Sequence, residues 1–304
     1  MIYLSICIPT YKRVEITRNT IKSIYADLNG VNLCDFEVIV SDNDDEESSK
    51  IFKDEFPYDN FHYKRTKCEG FMNSFHVLGY GNGMFLKLHN NYTMLKAGTL
   101  KYMIDEVKNY SKTHALMFFT NGLRHFNRKL GYDSFDTFMR QLSYFSSWST
   151  GFGIWKDDYD AIKGCHEINK WFPQTSMLIP FSKKSKYILN DMVIFEDQKV
   201  PKKGGYNPYM VFGVEYMNLI KTTLDKGGIS EKTFNIIKED LLCQYLASRY
   251  FKTVIARMDK FEHDNVKRYL NVYYSSFAYP KLLFYALLSP IVFGWYKIKN
   301  VEFQ

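Results

Sequence analysis

An α/β fold, with a mainly parallel sheet flanked by helices and a helical C-terminal extension, is what this chain predicts. Three observations carry it. Strand-like and helix-like stretches alternate through residues 1–100, each strand-like stretch is apolar throughout, and each stops abruptly in polar residues. Strands apolar on both faces belong to parallel sheets covered on both sides. Ligands of such sheets bind beyond the carboxyl ends of the strands, so the residues that end each strand matter most.

The elements follow in order. "YLSICIPTY" is a β-branched, apolar run ended by Pro9, and the segment from Glu15 to Tyr25 places Ile16, Ile21 and Ile24 near one helical face. "FEVIVSDND" is a second buried strand. A shorter extended piece, "FHYKRTK", precedes a Gly-bounded helical stretch from Phe71 to Leu78, and "GMFLKLHN" supplies the next strand. From Thr99 onward come a helix through "LKYMIDEVKNY", an apolar strand "HALMFFT", a strand-like "SSWSTGFGIW" at 146–155 and a helix around "CHEINKWFPQTSMLI". Gly204, Gly205 and Pro208 make "KKGGYNPY" a loop. Beyond it the chain reads as helical: "VFGVEYMNLIKTTLDKG", then "SEKTFNIIKEDLLCQYLASRYFKTVIARM" with Ser230 as its N-cap, then "HDNVKRYLNVYYSSF". These signals divide the chain into regions 1–100, 101–210 and 211–304.

Composition narrows the function classes. The 304 residues are 46% hydrophobic and 24% charged, ordinary for a globular protein. Aromatics reach 17%, which fits stacking surfaces or a face at a membrane interface, and equally a codon bias toward Phe and Tyr. The net charge is +7; the lysines are dispersed, and their densest clusters, "KKSK" at 183–186 and "KVPKK" at 199–203, are short. With no zinc spacing and no basic arm, nucleic acid is not expected as a partner; a nucleotide diphosphate and an anionic membrane leaflet fit better. Five scattered cysteines without CxxC pairs suit a reducing cytoplasm. The apolar N-terminus is too short for a signal peptide and reads as the first strand. Near the other end, Tyr279 to Lys299 is strongly apolar but interrupted by Pro290, and its uncharged run falls short of the ~20 residues a spanning helix needs. Trp295 and Tyr296 beside Lys297 and Lys299 match an interfacial anchor over 279–299; the alternative is a buried core helix.

Read together, "SICIPTYKR" at 5–13, "FEVIVSDND" at 36–44 and "NGMFLKLHNN" at 82–91, with "LKAGTL" after it, resemble the nucleotide-binding half of family 2 glycosyltransferases with the GT-A fold. The resemblance covers residues 1–100 well and the rest loosely. It implies that 1–100 is the nucleotide-sugar half, 101–210 the acceptor half of the same domain, and 211–304 a helical region. The residues agree with it physically. Pro9 and Thr10 fix the backbone at a strand end, and Tyr11 offers a stacking face. Asp42 can accept a hydrogen bond from a base imide, as the matching family aspartate does for uracil, whereas Asp44 suits a helix-capping turn. Lys12, Arg13 and Arg65 add charge near a pyrophosphate. Asn73 falls where relatives carry an Asn in "ARN", either buried to hold the loop or exposed on the helix.

Relatives place aspartates after the fourth strand, one of them ligating Mg²⁺ or Mn²⁺. Counting back from Gly98 and Leu100 puts Asn91 at that position, preceded by Asn90 and His89. A neutral amide is a weak ligand for hard cations. Either Asn91 still coordinates a divalent cation, with His89 adding a nitrogen, or its amide contacts a phosphate or sugar hydroxyl directly while Lys and Arg neutralise the diphosphate.

Inverting transfer also needs a carboxylate base. The family's usual "ED" position is matched by Gln174 and Thr175, which leaves Asp157 or Asp158 first, Glu167 second, and the Glu196–Asp197 pair as further candidates. The resemblance implies a UDP-sugar donor, a lipid-linked glycan acceptor of capsule or O-antigen type, and a peripheral location on the cytoplasmic face of the membrane. The missing acids leave a second reading open, a non-catalytic glycosyltransferase-like scaffold.

Overall fold

The structure is a computed structural model that describes residues 1–164, 166–200 and 204–301, with side chains through Ser289. Cys165, the end of the 199–203 basic cluster, and the side chains of Trp295, Tyr296, Lys297 and Lys299 lie outside the described residues. The chain divides into two compact units, Met1–Val200 and Pro201–Gln304.

The first unit runs β1 (Leu4–Thr10), α1 (Val14–Tyr25), β2 (Phe36–Asp42), α2 (Phe52–Glu55), β3 (Phe61–Arg65), α3 (Asn73–Gly79), β4 (Phe85–Leu88), β5 (Thr93–Leu95), α4 (Thr99–Tyr110), β6 (Leu116–Phe119), β7 (Lys129–Tyr132), α5 (Phe135–Leu142), β8 (Gly153–Trp155), α6 (Lys156–Ile162), α7 (Pro173–Leu178), β9 (Tyr187–Asn190) and β10 (Phe195–Asp197). Its main sheet has the order β3-β2-β1-β4-β8. The first four strands are parallel, and β8 alone runs antiparallel to β4. A second sheet, β6-β9-β7, and an antiparallel β5–β10 pair complete the unit.

Every residue of β2 is buried, as its apolar run predicts for a strand covered on both faces. One face packs Leu4, Ile6 and Ile8 of β1 and Val38 and Val40 of β2 against Ile21 and Ile24 of α1 and Leu100, Met103, Ile104 and Val107 of α4. Each such side chain contributes roughly 1.5–3 kcal/mol on burial. On the other face α3 buries Val77 and Leu78. At the amino ends of the strands, Glu37 accepts from Ser5 Oγ at 2.6 Å and from the Asn82 and Gly83 amides at 2.5 and 3.2 Å, joining β1, β2 and the turn before β4. The chain steps outward from β1 through β2 to β3 on one side and then crosses back to place β4 on the other side of β1. In doubly wound sheets such a reversal is where a ligand crevice is expected, here at the carboxyl ends of β1 and β4.

Two expected elements are shorter than the sequence suggests. Of 146–155, only Gly153–Trp155 is strand; 3₁₀ turns at Ser143–Ser147 and Ser149–Gly151 precede it. A Cβ on Gly151 would lie 2.2 Å from the Phe118 ring and 2.7 Å from the Phe119 carbonyl, so only glycine lets this turn press against β6. The helix around 165–179 forms only from Pro173, whose fixed φ suits a first helical position. Asn169 Oδ1 accepts from the Trp171 and Phe172 amides just before it, at 2.8 and 3.1 Å.

In the second unit, α8 (Pro208–Met210), a wide-turn segment Val211–Tyr216 and α9 (Met217–Asp225) run on continuously. So do α10 (Glu231–Asp240), Leu241–Leu246, α11 (Ala247–Tyr250) and Phe251–Ile255. Ser230 caps α10 as expected, accepting from the Thr233 amide at 3.2 Å. The stretch 263–277 is helical only at α12 (Val266–Leu270), which Asn265 opens in the left-handed region. α13 spans Ala278–Val301.

Candidate functional site

The parallel register sets three strand ends side by side: Thr10 pairs with Asp42, and Asp42 with Arg65. Asn91, three residues past β4, reaches the same end. Its Nδ2 donates to Thr10 Oγ1 at 3.0 Å, Thr10 Oγ1 lies 3.0 Å from Thr17 Oγ1, and Thr20 Oγ1 of α1 donates to the Asn91 carbonyl at 2.9 Å. Asn91 is buried, yet among the described residues nothing donates to its Oδ1. The amide is therefore fixed by its nitrogen and presents its oxygen.

Asn90 is held from the other side. Its backbone amide donates to Thr150 Oγ1 at 3.1 Å, its Oδ1 accepts from Ser149 Oγ at 2.7 Å, and its Nδ2 donates to the Tyr92 hydroxyl at 2.8 Å. Lys87, fully buried on β4, donates to the carbonyls of Leu88 (2.8 Å) and Thr150 and lies 5.3 Å from the Phe119 and Phe195 ring centres. Burial pushes its pKa down to about 7.

His89 is equally buried. Burial and then the Lys87 charge push its pKa down to about 3, so the ring is neutral. Nε2 faces the Thr93 carbonyl at 2.7 Å, Nδ1 has no partner, and the ring meets Phe195 edge-on at 5.5 Å.

At the end of β1, Pro9 is half-buried, while Tyr11 is 54% exposed. Lys12 takes a left-handed φ of 53° and sits 3.4 Å from Glu46 and 3.8 Å from Asp44. Arg13 is exposed and makes no ion pair among the described residues.

Asp42 is fully buried. Its carboxylate accepts from the Asp44 amide at 2.9 Å, the Ser49 amide at 3.1 Å and the Tyr63 hydroxyl at 3.4 Å. Asp44 accepts from Ser48 Oγ at 2.7 Å, and this bond holds its carboxyl below the usual range. Turn-shaping is thus shared by both aspartates. Arg65 donates to the Asp42 and Thr66 carbonyls at 3.1 and 2.7 Å and to Asp45 at 2.9 Å. Asn73 is the buried kind: Nδ2 donates to the Ser41 carbonyl and to Asn43 Oδ1, at 2.8 and 3.1 Å, pinning the loop after β2.

The acidic candidates separate. Because β8 runs antiparallel to β4, its end lies beside Phe85, where β4 begins. Asp157 and Asp158 follow that end, at the pole of the sheet away from Asn91, and Asp158 pairs with Lys184 at 2.5 Å. This corrects the strand-end argument that put them first. Glu167 is exposed in the loop before α7, without an ion pair among the described residues. Gln174 does border the site: its Nε2 donates to the Ser147 carbonyl, in the turn that leads to Ser149 and Thr150. Asp197 of β10 is the acid tied to the Asn91 segment, accepting from Thr93 Oγ1 at 2.6 Å in register with Thr93.

Residues missed from sequence include Gln198, whose Nε2 donates to the Ile16 carbonyl and Thr20 Oγ1 at 2.9 and 3.1 Å, and Asp191, fully buried. Asp191 accepts from Thr120 Oγ1 and from the Arg124, Phe126 and Asn127 amides at 2.6–3.2 Å. No local pattern announces either contact. A cavity of about 300 Å³ lies apart from this set, along the edge strand β3, lined by residues such as Phe56, Tyr58 and Lys64.

The donor set does not fit a protein-held divalent cation. Among the described residues no three His, Cys, Asp or Glu side chains group to hold a metal, and the Asn91 segment offers amide oxygen in place of carboxylate.

No protein-family model matches the chain, and no curated protein matches it in sequence. Its fold has clear counterparts. S. aureus TarS 1-349 superposes with a TM-score of 0.54 at 13% identity, over 94% of this chain and 89% of that one. The same protein in complex with UDP-GlcNAc gives 0.55 at 12% identity, over 84% and 76%. The mannosyltransferase PcManGT from Pyrobaculum calidifontis, in complex with GDP-Man and Mn²⁺, gives 0.53 at 11% identity, over 94% and 86%. The fold is the GT-A fold of glycosyltransferases.

Proposed function

We propose that the chain is a glycosyltransferase that takes a sugar from a nucleoside diphosphate donor, UDP-linked by default, and passes it to a lipid-linked glycan at the cytoplasmic face of a membrane. The observation that carries this reading is the group of side chains at the strand ends where the strand order reverses. Asn91 is locked to Thr10 there with a free Oδ1. Tyr11 and the unpaired Arg13 stand exposed at the same strand end. A base can stack on Tyr11, Arg13 and Lys12 can meet the diphosphate, and the Asn91 oxygen can accept from a sugar hydroxyl. The Asp42, Asp44, Arg65 and Asn73 network acts by shaping the loop against the base.

Asp197 is the base in this reading. Its carboxylate takes the acceptor hydroxyl proton as the oxygen attacks the anomeric carbon; the bond from that carbon to the diphosphate breaks, and the nucleoside diphosphate leaves with the electron pair. The configuration inverts. Asp197→Asn is expected to lower kcat at least about a hundredfold with little change in KM, the size general-base removal usually has. Unchanged turnover, or a product of retained configuration by NMR, rules out this step.

The amides at Asn91 and Gln174 favour one competing reading, a non-catalytic glycan-assembly scaffold. Asp42→Ala and Asn91→Ala, each checked for intact folding by thermal unfolding, separate the two: a folded scaffold tolerates both in a glycan-assembly assay, and the transferase tolerates neither.

A further inference from the structure

The second unit carries an apolar surface that the transferase chemistry does not use. Along α13, Ala278, Leu282, Ala286 and Ser289 are buried and form one helical stripe. On the opposite side stand Phe277, just before the helix, Phe284 and Leu287, exposed by 78, 60 and 64%, with Pro280 between them. Their spacing of three and four residues puts them on one face. In sequence the same spacing continues with Ile291, Trp295 and Ile298. Exposed rings and a leucine aligned on a helix of 24 residues, about 36 Å long at 1.5 Å per residue, form a surface that needs a partner.

The charges beside this face select the partner. From Val266 to Val301 the sequence contains Lys267, Arg268, Lys281, Lys297 and Lys299 and no Asp or Glu. Lys281 is paired with Glu239. Lys267 and Arg268 of α12 are exposed and make no ion pair among the described residues, and the Lys267 ammonium lies 4.8 Å from the Tyr279 ring of α13. An apolar face bordered by cations matches an anionic lipid leaflet, where the hydrocarbon boundary takes the rings and the headgroups take the cations. A second copy suits it less, because a symmetric pairing would set cations against cations with no acid on the segment. Among the described residues no helix is long and apolar enough to cross a membrane.

From these contacts we infer that α13 lies in the plane of an anionic lipid surface, docking through Phe277, Phe284 and Leu287 with Lys267 and Arg268 beside the headgroups. This extends the reading of a lipid-linked acceptor and rests on that reading for its place in the reaction.

Vesicle co-sedimentation of the full chain tests it. Wild type is expected to sediment with phosphatidylcholine vesicles containing roughly a third phosphatidylglycerol, and at least about tenfold less with phosphatidylcholine alone or in high salt. Phe284→Gln with Leu287→Gln is expected to weaken sedimentation at least about tenfold while thermal unfolding stays unchanged, since both side chains are solvent-facing. Lys267→Glu with Arg268→Glu should remove the preference for anionic vesicles. Equal sedimentation of the Gln double variant overturns the inference. So does wild type that sediments with neither vesicle, including wild type that dimerises through this face instead. Nucleotide calorimetry on the same samples keeps the two claims apart: vesicle binding by a chain that binds no nucleotide upholds the docking surface and removes the transferase reading.

Discussion

At the residue scale the proposed chemistry centres on Asn91. Its nitrogen is committed to Thr10 and its oxygen is not, which is the arrangement a hydrogen-bonding group needs and a metal-holding carboxylate does not. Asn91→Asp is expected to introduce a dependence on Mn²⁺ that wild type lacks, read as the change in donor affinity on adding EDTA. Equal EDTA sensitivity in the two proteins would count against the assignment. Lys87 makes a second residue-scale prediction. Its folded pKa, about 7, lies below the ~10.4 of free lysine. Between those values the unfolded chain binds a proton that the folded chain does not, so this group makes stability rise with pH across that window. The stability difference between Lys87→Met and wild type, from urea midpoints, should therefore shift in favour of wild type from about pH 7 to about pH 8.5. A pH-independent difference contradicts a neutral buried amine. The stretch "FLKLHNN" shows in sequence that acids are missing; that its lysine and histidine turn into the core beside Phe195 depends on a partner more than a hundred residues away.

Elements explain which expectations survived. β1, β2 and β4 were legible because burial on both faces leaves an apolar signature, and α10 because Ser230 caps it. The direction of β8 was not legible. A strand of three residues has no sequence mark of polarity, and an antiparallel β8 sends Asp157 and Asp158 to the far pole. Asp197 was legible only as one of several acids, since its value comes from pairing with Thr93 across a hundred residues. Glu37 gives the element-scale prediction. It is fully buried and satisfies donors from β1 and the turn before β4, at the pole opposite the crevice. Glu37→Leu should destabilise by about 2–4 kcal/mol in urea melts, because those donors lose their acceptor, while donor affinity of the folded fraction is kept. A loss of less than about 0.5 kcal/mol would mean that water replaces the carboxylate freely.

At the scale of the whole molecule, a first unit whose strand ends carry hydroxyl, amide and cationic groups is followed by a helical unit for which lipid docking through α13 is proposed. Nearly all of the net charge of +7 lies in the second unit, where it favours an anionic partner. The central claim is that the crevice between the ends of β1 and β4 binds a nucleoside diphosphate sugar through Asn91, Tyr11 and Arg13 without a protein-held metal. Calorimetric titration of the full chain with a UDP-sugar, in EDTA and in Mn²⁺, tests this most directly. The account predicts binding in both buffers, within about threefold of each other, and a loss of at least about tenfold in Arg13→Ala, as removal of a charge-assisted phosphate contact requires. Absence of binding in both buffers, or binding that appears only with Mn²⁺, would contradict it.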